Sequence, residues 1–137
     1  MPALPKDEAL DAQILDLVHQ IGTAALDRKA LDLRAYDVRK VVTYSDYFMI
    51  CAGRSDRQVR AIAEGIVEDL KAQDRKPLGV EGMQQGMWVL IDYGDVIVHV
   101  FHEEEREEYD IERLWSGAPR VELALEEPAS APPSLVP

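Results

Sequence analysis

The 137-residue sequence contains a single cysteine, Cys51, and only two tryptophans, Trp88 and Trp115. One cysteine excludes an intrachain disulfide, and its place inside the apolar run "DYFMICAG" reads as a small packed hydrophobe rather than a nucleophile. No apolar run approaches the length of a membrane span, and the opening "MPALPKDEALDAQ" lacks the core of a signal peptide, so a cytoplasmic protein with no membrane partner is expected. Cations are scarce towards the end. Residues 1–91 hold 14 acids and 12 bases, whereas residues 92–137 hold 12 acids and 3 bases, within a net charge of -11. Counterion release rewards basic surfaces for touching phosphate, so this acidic third predicts little direct nucleic-acid binding and favours a basic partner, although a merely solubilising face would carry the same charge.

What is present suffices for one domain with one modest core, since 47% of the residues are hydrophobic and 30% charged. Leu10, Ile14, Leu17, Ile21 and Ala25 recur at helical spacing, which predicts a first amphipathic helix near Asp7 to Asp27. "ALDLRAYDV" and "DYFMICA" read as strands. Ser55 followed by Gln58 matches a capping box, opening a helix whose buried stripe is Val59, Ile62, Ile66 and Leu70, with Arg57 and Arg60 on the solvated side. "DRKPLGVEGMQQG" reads as a loop with a short strand around Leu78 to Val80.

"MWVLID" and "VIVHVF" form a hairpin across Asp92-Tyr93-Gly94-Asp95, where Gly94 can take a positive φ. Glu103, Glu104 and Glu105 suit the first turn of a last helix, expected to end near Gly117. Beyond it, Pro119, Pro128, Pro132, Pro133 and Pro137 mark residues 118–137 as a disordered, Pro-rich acidic tail after a domain of residues 1–117. The order of elements predicts an α/β (α+β) architecture, a mixed β-sheet packed with helices.

His99 and His102 stand three apart on a strand, so they should face opposite ways; with no third ligand at a recognised spacing, no metal is expected and His99 reads as a sheet histidine with a structural hydrogen bond. The Gly53–Ser55 turn at a helix start could bind phosphate, and Asp92 and Asp95 could hold magnesium, which together would make a nucleotide-binding or nucleotidyl-transferring enzyme. Turn aspartates are also explained by their own backbone hydrogen bonds. Trp88, Leu90 and Asp92 share one strand face and Val89 and Ile91 the other. Trp88 is therefore either an outward binding anchor or part of a second core layer.

"SDYFMICAGRSDRQVRAIAEGIVEDL", "GVEG", "WVLIDYGDVIVHVF" and "EREEYDIERLW" together resemble the ribosomal silencing factor (RsfS) family of Iojap-related proteins, over nearly everything from Ile14 to Trp115. Glu108 departs from it, standing where the family usually has an aromatic residue. The resemblance implies a nucleotidyltransferase-like fold without that activity, no cofactor, and binding to the large ribosomal subunit through its fourteenth protein, a basic protein, so that subunit joining is blocked sterically and translation repressed. It implies a homodimer when free. It also implies that Trp88 and Leu90 lie on an apolar patch of the ribosomal protein, with Glu81, Asp92, Tyr93 and Asp95 completing the contact.

Overall fold

The computed structural model describes residues 5–123 and 125. Helix α1 spans Pro5–Asp27, strand β1 Leu31–Asp37, β2 Tyr47–Gly53, helix α2 Asp56–Ala72, β3 Gly79–Glu81, β4 Trp88–Asp92, β5 Val96–His102, helix α3 Glu103–Tyr109 and β6 Arg120–Val121, with a 3-10 turn at Ile111–Trp115 between α3 and β6. The six strands form one sheet in the order β3-β4-β5-β2-β1-β6. Only β2 and β5 run parallel; every other neighbouring pair is antiparallel. A parallel pair needs a crossover, and α2 lies in the connection that supplies it.

One face of the sheet carries both long helices. Tyr47, Met49 and Cys51 of β2, Val89 and Ile91 of β4, and Val96, Val98 and Val100 of β5 join Ile14, Leu17, Val18 and Ile21 of α1 in the main core. The predicted stripe of α2 is there as well, with Val59, Ile62, Ile66 and Leu70 at most 1% exposed. Full burial of such side chains stabilises by ~1.5–3 kcal/mol each. The alternate residues of the same strands point the other way. Phe48, Ile50, Ile97 and Phe101 form a second cluster with Tyr36, Val38 and Trp115, against which Trp88 and Leu90 pack half-buried.

The start of α2 follows its sequence signals. Ser55 is the N-cap, its hydroxyl accepting from the Gln58 backbone N–H at 3.0 Å. Gln58 returns its side-chain oxygen one residue earlier than a capping box requires, accepting from the N–H of Arg54 at 2.7 Å, and its amide donates to the Lys29 carbonyl. Arg57 is exposed and Arg60 pairs with Asp56. In the β4–β5 turn Gly94 has φ +84°, and the Asp92 carboxylate accepts from the Gly94 N–H at 2.7 Å.

Two expectations need correction. The last helix does not run to Gly117: it stops at Tyr109, because Asp110 adopts a left-handed φ of 47° and breaks the α-helical hydrogen bonding before the 3-10 turn. Within that helix Glu108 is exposed, so it displaces no core side chain. Nor is all of residues 118–137 a tail. The Pro119 carbonyl accepts from Asp37 N–H, Ala35 and Tyr36 pair with Val121 and Arg120, and Leu123 packs against the main core. Residues 126–137 of the expected tail lie outside the described residues.

Candidate functional site

Strand register decides which of the candidate residues meet. Glu81 stands opposite Leu90, Leu90 opposite His99 and His99 beside Ile50, so these four lie in one row across the second face. Trp88, two residues before Leu90 on the same face, stands opposite Phe101. Glu81, Gly82, Trp88 and Leu90 line an open depression of about 250 Å³. Gly82 makes that proximity possible: at φ +84° a Cβ would fall 2.1 Å from the Trp88 carbonyl oxygen, so only glycine lets the chain pass there.

The Trp88 indole is held from several sides. It lies almost parallel to Phe101, with centroids 4.7 Å apart and planes at 25°, and the exposed Tyr109 leans on it at 5.2 Å. Its Nε1–H donates to His99 Nδ1 at 3.1 Å. His99 is 6% exposed and enclosed by the rings of Phe48, Phe101 and Trp115, and this burial lowers its pKa to about 4. The ring is therefore neutral at physiological pH. Of the two readings of Trp88, each describes a part: the ring belongs to a second aromatic layer, and its outer side faces the depression.

The other candidates fall elsewhere. Asp92 and Asp95 sit at the far end of β4 from Trp88. Tyr93 packs against the helix-side core rather than with the aromatic cluster of the second face, and burial raises its phenol to about 12. His102 caps α3, its Nδ1 accepting from the Glu104 N–H at 3.2 Å. The Cys51 thiol is buried and pushed up to about 12. Among the described residues no three His, Cys, Asp or Glu side chains gather to hold a metal ion.

The nucleotide-enzyme reading meets a geometric obstacle. Gly53 pairs with His102 at one end of the parallel β2–β5 ladder, whereas Tyr47 pairs with Val96 at the other, next to Asp95. Six residue steps at ~3.3 Å put the Gly53–Ser55 turn roughly 20 Å from the Asp92–Asp95 turn. The Ser55 hydroxyl and the Asp92 carboxylate are also both engaged by backbone N–H groups. The phosphate cradle and the metal carboxylates of that reading do not form one site.

Sequence reasoning missed two surface aromatics on this face. Tyr109, 55% exposed, flanks Trp88, and Tyr44, 66% exposed, leans on Phe48 at 6.0 Å. Each sits among polar residues, in "REEYD" and "VTYSD", where an aromatic with no periodic partner is itself a surface signal. No helix among the described residues is long and apolar enough to cross a membrane.

The family model described as "Ribosomal silencing factor during starvation" matches residues 11–134. The chain is similar to ribosomal silencing factor RsfS of Bacillus subtilis, 43% identical over 105 residues that span 76% of this chain and 89% of that protein. It is similar to a crystal structure of a protein from Chromobacterium violaceum, 34% identical with a TM-score of 0.74, covering 85% of this chain and 96% of that one. It also resembles a mouse protein named for mitochondrial assembly of the ribosomal large subunit, 31% identical over 90 residues, 64% of this chain and 40% of that protein.

Proposed function

We propose a function that proceeds from one fact: the chain belongs to the ribosomal silencing factor family. The Bacillus subtilis relative is named a silencing factor, and in our reading this chain acts by binding, with no bond made or broken. The partner is the large ribosomal subunit, contacted through its basic fourteenth protein, and the bound body occupies space that the small subunit needs. The mouse relative's name supports the choice of subunit.

The observation that carries this reading is the half-covered second face. Trp88 and Leu90 offer apolar surface, Tyr109 extends it, and Glu81 places a carboxylate at its rim. An aromatic anchor set in a concave apolar surface with a charged rim is the composition of an interface centre. Asp95, exposed at the hairpin turn, lies further off and acts by steering a cationic partner rather than by close contact.

Sedimentation tests it. Mixed with purified subunits, the protein should travel with free large subunits and reduce the fraction of joined ribosomes as its concentration rises. Migration with small subunits alone, or with joined ribosomes at undiminished yield, would overturn the proposal.

A further inference from the structure

His99 is a buried polar side chain on the second face, 6% exposed, and its hydrogen bonding is lopsided. Trp88 Nε1 can only donate, so Nδ1 of His99 must accept and the ring proton must sit on Nε2. That Nε2 is shielded from solvent and has no hydrogen-bond partner among the described residues. Phe48, Phe101 and Trp115 surround the ring instead. A buried donor without an acceptor is destabilising, so for stability alone an apolar ring would serve better here. The one polar task left to this imidazole is to accept the indole proton.

We infer that His99 is a positioning residue: by accepting the Trp88 N–H it holds the indole flat on Phe101 and fixes the ring edge offered to a partner. The inference rests on the reading of Trp88 as the binding anchor. Without the acceptor, a half-buried indole N–H is left unpaired, and the ring must swing outward to reach water. It would then give up its stacking on Phe101 and present several orientations where it now presents one. Binding from such a mixture is weakened by the fraction of molecules not in the competent orientation.

Two substitutions separate positioning from mere packing, because they should order stability and binding oppositely. His99→Phe keeps an aromatic ring, removes the orphaned N–H and removes the acceptor. His99→Asn keeps an acceptor near the place of Nδ1 but buries an amide that the rings around it cannot satisfy. His99→Phe should therefore melt at the higher temperature yet bind purified large subunits about tenfold more weakly than wild type, while His99→Asn recovers roughly threefold of that loss.

Nitrogen-15 NMR of the full chain gives a readout that needs no partner. In the wild type the Trp88 indole proton should exchange slowly and His99 should be the Nε2–H tautomer; in His99→Phe the indole proton should exchange rapidly. A Nδ1–H tautomer in the wild type overturns the inference even if neither variant folds. Equal large-subunit affinity for His99→Phe and wild type overturns it too. Wild type that captures no large subunit while showing the expected tautomer overturns the function on which the inference rests, and leaves the indole clamp standing as a structural finding.

Discussion

The two faces of the sheet are built from the same strands, yet they are finished differently. On the helix side, valines, isoleucines and leucines are sealed under α1 and α2. On the other side lie seven of the nine aromatic residues: Tyr36, Phe48, Phe101 and Trp115 buried, Trp88 half-buried, and Tyr44 and Tyr109 exposed. Short elements cover this side only in part, and α3 buries none of its residues. Aliphatic side chains pack densely and offer little once covered, whereas aromatic rings can stack on the sheet and still leave an outer side for another molecule. The comparison assigns stability chiefly to one face and recognition to the other.

The largest effect that could break this division is expected on the helix side. Ile66→Ala removes a fully buried side chain and should cost about 2–5 kcal/mol of folding stability. Denaturant titration measures this, and large-subunit affinity of the remaining folded protein should stay near that of wild type. A selective loss of affinity in protein that is still folded would blur the division.

A second test probes the aromatic side's own contribution to stability. The folded pKa of His99, about 4, lies below its ordinary value of 6.5. Between these values the unfolded chain takes up a proton that the folded chain refuses, so the His99 contribution is fully present above pH 6.5 and is lost as pH falls towards 4. The shift corresponds to about 3 kcal/mol. Melting wild type and His99→Phe across this window should show a steeper decline for the wild type. Glu112, held low against burial by hydrogen bonds from Arg106 and Tyr36, adds a loss at still lower pH in both proteins.

Trp88→Ala should weaken large-subunit binding by ~2 kcal/mol or more, roughly thirtyfold, while leaving a cooperative melt. If the transition broadens or disappears, the aromatic face is as much core as the helix face. The smallest effect is electrostatic. Glu81→Lys with Asp95→Lys should slow association severalfold at low salt, with the difference fading as the Debye length falls below about 10 Å. Rates that match wild type at every salt concentration would remove these carboxylates from the recognition side. Asp92 is a poorer choice for this test because its carboxylate also holds the Gly94 turn.

How much of this was legible in the sequence depended on how local the determining contacts are. The stripe of α2, its Ser55 cap and the Gly94 hairpin are set by residues within one turn of each other, and each is where periodicity and turn chemistry place it. The pairing of β6 with β1 is not local: two residues gain their structure from a strand more than eighty positions earlier, and no pattern that short can announce it. The break at Asp110 depends on a left-handed backbone at a residue that could equally have continued the helix. At the candidate site, alternation along β4 placed Trp88 and Leu90 together and opposite Val89 and Ile91, but it could not say how completely the second face is roofed. Nor could it place Tyr93 on the helix side, since that residue lies just past the strand, where alternation lapses into the turn.

The short strands at the two sides of the sheet have a consequence for solubility. β3 and β6 are three and two residues long, and they flank inner strands of five and seven. An edge strand with a long row of free N–H and C=O groups is a template for pairing with another chain, and brevity blunts it. Arg120 and Val121 thus act as a gatekeeper for β1: a chain cut before them would bare the β1 backbone and leave a longer edge that invites strand-to-strand aggregation.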